Sequence, residues 1–231
     1  MIEEMKKVSF HRHGQVYRTS KTVLDRVSAV VGLVITAPLM LMIAILVRWN
    51  LGSPVLFCDE RPGYKGRLFT CYKFRTMTNA SNANGVLLSD RERLGSFGRL
   101  LRRSSLDELP QLWNVARGDL SFVGPRPLLK EYLEVYTPEE RRRHNVRPGL
   151  TGWAQVHGRG HVPFDKRLAL DLWYVDHMSW HLDLRILLLT VWIVIRGDGT
   201  ELAAFPSLAR QRRCERNESE SNQLEQAETK R

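Results

Sequence analysis

Two adjacent carboxylates, Asp107 and Glu108, stand in the segment Ser104-Ser105-Leu106-Asp107-Glu108-Leu109-Pro110, where the pattern predicts the start of a helix. The pair admits two readings. Ser105 and Glu108 have the spacing of a capping box, or Asp107 is itself the cap with Pro110 in the first turn. The same position also suits chemistry. Helix N-terminal amides attract phosphate, carboxylates beside them can meet a metal that accompanies it, and a carboxylate can attack phosphorus as a nucleophile. Several cations elsewhere are arranged in ways that bear on that choice. Lys73 and Arg75, in Lys73-Phe74-Arg75, are two apart on a strand-like stretch and so share a face. That face is either a solvated one or a clasp for a diphosphate, with Arg75 able to bind it through two parallel bonds. Gly124-Pro125-Arg126-Pro127 restricts the chain on both sides of one arginine, which suits either a structural turn or phosphate recognition. Arg147 opens the Gly-rich run Arg147-Pro148-Gly149-Leu150-Thr151-Gly152-Trp153, whose Trp153 fits core packing, base stacking or lipid. Asp171 and Asp176 flank Tyr174 and read equally as exposed helix-face residues or as ligands.

The elements that must position these residues follow from composition shifts. Residues 27–47 contain no charge, with Arg26 and Arg48 closing the two ends, and about 20 apolar residues reach across a bilayer core. Pro38 lies mid-run. It lacks the N–H that would bond the Val34 carbonyl, so a kink or break is expected there, and the Thr36 hydroxyl is placed to satisfy a freed carbonyl. Basic residues flank both ends (Lys21 and Arg26 before; Arg48, Arg61, Lys65 and Arg67 after), so the positive-inside rule finds little asymmetry. A straight span and a re-entrant hairpin bent at Pro38 both remain open on these features. Two strands are expected at residues 54–57 and 68–74 around the turn-rich 61–66, then a loop over 79–85 and a basic amphipathic helix over 91–103. Thr137-Pro138-Glu139-Glu140 has the form of a helix start, and residues 164–174 have a helical apolar pattern. Residues 186–195 are apolar but too short to span, and read as a buried or interfacial helix near Trp180 and Trp192.

At 231 residues the chain holds one sizeable core with appendages, and Lys+Arg 35 against Asp+Glu 25 gives a net charge of +10. That excess suits an anionic membrane surface, a phosphate-rich substrate or nucleic acid, but no nucleic-acid-binding motif is visible. Cys58, Cys71 and Cys214 are odd in number and lack metal or redox spacing, as expected of a reducing compartment. His11 and His13 read as solvated residues of a polar stretch. His157 and the loop at 79–89 are candidates to bear on specificity.

Taken together, in order, the Pro38-broken apolar helix, Lys73-Phe74-Arg75, Ser104 to Pro110, Gly124 to Pro127 and Arg147 to Val156 resemble the monotopic phosphoglycosyl transferases, or bacterial sugar transferase family, in its small form. The resemblance covers residues 21–196. It implies an α+β, mostly helical fold. A basic N-terminal tail (1–20) precedes a re-entrant membrane helix (21–49) broken at Pro38. A compact cytosolic catalytic domain (50–200) follows, with a short β-hairpin and membrane-interface helices, and then a disordered tail (201–231). Ala37 stands before Pro38 where relatives often have serine. The resemblance further implies that Asp107 is the nucleophile and that Glu108 works with Mg²⁺, the two being the expected metal ligands. Lys73, Arg75 and Arg126 would neutralise the donor's phosphates, with Arg147 near those phosphates or the base. The implied reaction takes a sugar-1-phosphate from a UDP-sugar, an N-acetylated one by analogy, through an aspartyl phosphosugar with release of UMP. The acceptor is polyprenyl (undecaprenyl) phosphate at the cytoplasmic face of a bacterial inner membrane. Two alternatives stand beside it: direct transfer in a ternary complex, and a non-enzymatic membrane-anchored basic binding protein.

Overall fold

The uncharged run lies in one long helix, α1 (Ile2–Leu51), in the computed structural model of this chain. The structure describes residues 2–157 and 163–196, with side chains from Val16 onward. Cys214, the expected tail from residue 201 and the side chains of His11 and His13 lie outside that set. Residues 2–20, expected as a tail, continue the α1 helix. The segment Val16–Leu51 is long and apolar enough to cross a membrane by length and composition. Pro38 does not end it: helical backbone runs through the proline. Nor does Thr36 reach the Val34 carbonyl, because its hydroxyl donates to the Gly32 carbonyl one turn back at 2.7 Å.

After α1 the chain forms an antiparallel ribbon of β1 (Leu56–Pro62) and β2 (Leu68–Phe74), in register from Leu56 opposite Phe74 to Pro62 opposite Leu68. β1 thus runs on past residue 57, where the strand was expected to end, through Asp59-Glu60 and into Arg61-Pro62, the first two residues of the expected turn. A two-stranded ribbon wets much of its surface, so those side chains need no burial, and Pro62 ends an edge strand where its missing N–H matters little. The helix expected over 91–103 is two, α2 (Asp90–Arg93) and α3 (Ser96–Arg103). Leu94 is extended between them, and Gly98 of α3 packs so tightly on the Thr76 carbonyl that a Cβ would overlap that oxygen. A 3-10 turn (Leu106–Glu108) then leads into α4 (Gln111–Arg117).

β3 (Ser121–Val123) pairs in parallel with β4 (Gly149–Thr151), which leads into α5 (Trp153–Val156). α6 (Phe164–His177) and α7 (Trp180–Arg196) follow, so the apolar run at 186–195 is the later part of a 17-residue helix. α7 buries Leu182, Asp183 and Ile186 and leaves Leu184, Leu188, Val191, Trp192 and Ile195 exposed.

α1 is the spine of the domain. In its first half Lys21 donates to Asp183 of α7 at 2.7 Å, and Tyr17 donates to the same carboxylate at 2.7 Å. Next Ala29 packs with Val115 and Leu120, and Gly32 faces Leu112 of α4. Towards its end Ile43 and Val47 pack with Phe74 and Leu101, against which Leu106 and Leu109 also rest.

Between β3 and β4, Thr137 and Glu140 form the expected reciprocal cap, Glu140 accepting from the Thr137 N–H at 2.9 Å. The turn they start is a 3-10 segment, Glu140–Asn145, rather than an α-helix. His144 is buried there against Tyr136, its Nδ1–H directed to the Gly63 carbonyl at 3.3 Å and its Nε2 without a hydrogen-bond partner. Burial, with the nearby Arg143 charge, pushes its pKa down to about 4. Between that value and the usual ~6.5 the unfolded chain binds a proton that the folded chain does not, so stability rises with pH through this window. Urea unfolding in detergent should therefore show His144→Gln losing less stability than the native chain as pH falls from about 6.5 to about 4. Parallel pH dependence of the two proteins would remove His144 as the cause.

Candidate active site

The Asp107-Glu108 turn gets its shape from residues on either side. Leu106 and Leu109 are held against the core formed with Ile43, Val47, Phe74 and Leu101, so the polar residues between them face the other way. Ser105 sits at φ 57°, the left-handed region that non-glycine residues seldom adopt. Its side chain makes no capping bond, so the capping-box reading of Ser105 and Glu108 is not realised; Pro110 rather than Asp107 precedes α4.

Glu108 instead gathers two cations from distant parts of the chain. Its Oε1 accepts from Lys73 Nζ at 2.7 Å and from Arg126 Nη2 at 2.8 Å. Both cations, opposing the cost of burial, hold the Glu108 carboxyl well below the usual range. Asp107 is the opposite case. Its side chain is buried, and no described residue hydrogen-bonds its carboxylate. Burial, then the Glu108 charge, raise its pKa to about 6 against the pull of Lys73, Arg102 and Arg126. A carboxylate that is poorly solvated and not hydrogen-bonded is a better nucleophile than one bound in a salt bridge, and three nearby cations can offset the charge of an anionic substrate.

Arg102, which the sequence reading did not single out, belongs to this group. Its Nε donates to Thr76 Oγ1 at 3.0 Å, and its charge acts on Asp107. The signal was present as a position on a basic amphipathic helix five residues before Asp107, but Arg99 and Arg103 beside it looked the same.

Two expected anion binders are engaged elsewhere. Arg75 lies just past β2, buried, with its guanidinium donating to the carbonyls of Ser53 (2.9 Å) and Leu51. It closes the C-terminal end of α1, where carbonyls lack helical partners and the dipole favours a cation. Lys73 and Arg75 therefore do not form one clasp. Arg147 donates to the Gly118 carbonyl at 2.9 Å and to Thr22 Oγ1 at 2.6 Å, joining α4 to α1. Trp153 stacks on Trp173 with centroids 4.8 Å apart beside the Val123–Tyr174–Ile186 core, and His157 folds back on the Trp153 carbonyl. Asp171 is no exposed-face residue but a buried partner of Arg143 at 2.7 Å, whereas Asp176 pairs with Arg142 at the surface.

Arg126 owes its place to glycines on either side of a close backbone crossing. A Cβ on Gly124 would lie 2.9 Å from the Gly149 nitrogen, and one on Gly152 would overlap the Gly124 carbonyl. Gly124 N–H donates to the Thr151 carbonyl and Gly149 N–H to the Pro125 carbonyl, so the Gly-Pro-Arg-Pro loop is pinned at its first two residues.

Among the described residues no group of three or more His, Cys, Asp or Glu is arranged to hold a metal ion. The unpaired Asp107 and the open second oxygen of Glu108 still fit Mg²⁺, which commonly takes one or two protein carboxylates and completes its shell with water and substrate phosphates.

A helix long and apolar enough to cross a membrane thus carries a small domain in which an uncommitted carboxylate lies beside a cation-clamped one. The chain belongs to the bacterial sugar transferase family, whose model matches residues 16–197. It is 50% identical over 181 residues to the uncharacterized sugar transferase EpsL of Bacillus subtilis, covering 78% of this chain and 90% of that protein. It is 42% identical over 183 residues to the UDP-glucose:undecaprenyl-phosphate glucose-1-phosphate transferase of Xanthomonas campestris, covering 74% of this chain and 38% of that protein. With the undecaprenyl-phosphate galactose phosphotransferase of Salmonella typhimurium the identity is 38% over 199 residues, 79% of this chain and 42% of that protein. The chain thus spans less than half the length of the latter two.

If Arg75 serves α1 and not the donor, Arg75→Met should cost about 2–4 kcal/mol of stability, since charge-assisted bonds to two otherwise unpaired carbonyls are lost. Chemical unfolding in detergent measures it; a variant of native stability with abolished activity would instead return Arg75 to the substrate site.

Proposed function

We propose that this chain is a phosphoglycosyl transferase that moves a sugar-1-phosphate from a UDP-sugar to polyprenyl phosphate, with Asp107 as the covalent nucleophile. The observation that carries the reading is the contrast between neighbours: Glu108 is held by Lys73 and Arg126, while no described residue hydrogen-bonds the Asp107 carboxylate. An Asp107 oxygen forms a bond to the β-phosphorus of the donor while the bond from that phosphorus to the bridging oxygen breaks, and UMP leaves with the electron pair. A phosphate oxygen of the lipid then bonds to the same phosphorus, and the Asp107 carboxylate departs with the electrons it brought. Both nucleophiles are anions, so neither step requires a general base. Repulsion between anions is the main obstacle, and Lys73, Arg102 and Arg126 lower it where charge builds up. Asp107 and Glu108 would hold Mg²⁺, which would supply further charge neutralisation. The relatives named for glucose and galactose support a hexose donor as readily as an N-acetylated one.

The acceptor's location supports a re-entrant α1 with the catalytic turn at the cytoplasmic leaflet of a bacterial inner membrane. Lys21 and Val47 both touch the same small domain, although 26 residues of helix extend about 39 Å. A span would carry those ends to opposite sides of a hydrocarbon core about 30 Å thick. Between them Val34 and Ile35, each 71% exposed, are the natural point of deepest insertion, next to Pro38. The exposed apolar side of α7 suits the interface beside it. Cysteines introduced at Arg18 and Asn50 should both react with an impermeant maleimide from the cytoplasmic side alone; labelling from opposite sides would mean a span.

The enzymatic test needs no acceptor. Incubated with Mg²⁺ and a panel of UDP-sugars, the native chain should gain the mass of a phosphosugar, and Asp107→Asn should not. UMP release that requires polyprenyl phosphate, with no adduct, would establish direct transfer instead. Absence of both for every donor would leave a membrane-anchored binding protein.

A further inference from the structure

The loop that presents Arg126 has a second support, remote from the carboxylates and unused by the chemistry. Arg143 and Asp171 are buried together, with side chains 2% and 5% exposed. Arg143 Nη2 donates to Asp171 Oδ2 at 2.7 Å and also to the backbone carbonyl of Arg126 at 2.6 Å, while its Nη1 donates to Tyr136 Oη at 3.0 Å. Asp171 is on α6 and Arg143 in the 3-10 segment, so Arg143 joins both to the backbone of Arg126, whose side chain is one of the two that grip Glu108.

Burying an ion pair seldom adds stability over apolar packing, so a fold has little reason to place one here for stability alone. What a guanidinium offers, and an apolar side chain does not, is a fixed fork that bonds a carboxylate and a carbonyl at set angles. Pro127 restricts the backbone of Arg126 before it, Pro125 fixes its own φ, the glycine crossing fixes one end of the loop, and Arg143 fixes its middle. The remaining freedom of the Arg126 side chain is then small.

We propose that Arg143 and Asp171 form a positioning pair that sets Arg126 against Glu108 and so governs the charge around Asp107. They touch no reacting atom. The inference rests on the phosphoglycosyl transferase reading for its assay but makes a separate claim, namely that the pair acts through Arg126.

The test is a double-mutant cycle. Arg143→Lys keeps the charge but cannot bond Asp171, Tyr136 and the Arg126 carbonyl together; Asp171→Asn keeps the shape and an acceptor but loses the charge. Each is made in the native chain and in Arg126→Lys, and Mg²⁺-dependent UMP release is followed with donor and polyprenyl phosphate both present. Thermal melting in detergent runs alongside. Each single variant should lose turnover on the order of 100-fold, the loss expected when a positioning contact slips by about an ångström. In the Arg126→Lys background the same changes should cost less than about threefold, because the group they position is already gone. Losses that multiply across the two backgrounds, or native turnover in a folded Asp171→Asn, would overturn the proposal. If Arg143→Lys does not fold, the near-isosteric Asp171→Asn arm decides alone. A native chain that releases no UMP from any donor refutes the transferase reading, whereas an active native chain with multiplying losses refutes only the positioning pair.

Discussion

One oxygen of Glu108 accepts from two cations that lie 53 residues apart in sequence, Lys73 on the ribbon and Arg126 on the loop after β3. Much of the site depends on that convergence. It fastens the ribbon and the loop to the turn between α3 and α4, and it neutralises one carboxylate of an adjacent pair so that the other can remain buried and unbonded. Two neighbouring carboxylates in a poorly solvated place repel each other, and one must be charged at the expense of its neighbour unless cations intervene. Here the cations go to Glu108, and Asp107 takes the raised pKa.

The convergence in turn requires a rigid base, which α1 provides. The hydrophobic contacts of Leu106 and Leu109 set the turn directly on the later half of that helix, and Leu112 of α4 meets it at Gly32. Pro38 falls between these contacts, with Val34, Ile35 and Leu41 exposed on either side of it. An apolar anchor and a site for anions are thus parts of one packed unit. Under the proposed function, a water-soluble donor and a lipid-borne acceptor would meet the same atom in turn.

Basic residues that look alike in sequence divide into three kinds of work. Lys73, Arg102 and Arg126 surround the carboxylates; Arg75 and Arg147 close helix ends and join elements; Arg143 holds a backbone carbonyl from within the core. Lys21, expected only as a charge flanking the membrane run, is buried against Asp183 and fastens α1 to α7. The net charge of +10 therefore overstates how much cationic surface is free for a partner.

Local chemistry determined a good deal from sequence alone. The uncharged run made α1, the Thr137–Glu140 spacing made a cap, and the order of motifs gave the family and the Asp107-Glu108 pair. These signals depend on residues within a few positions of one another, or on resemblance, and so survive in a string of letters. Tertiary structure alone decided which cation meets which anion. Ser105 could have capped Glu108, and Lys73 and Arg75 could have shared a face, as far as spacing went. A left-handed Ser105, the open end of α1 and the glycine crossing that aims Arg126 settled these otherwise. The physical reason is that ion pairs form between groups brought within about 3 Å by packing, and the distance along the chain carries no record of that approach.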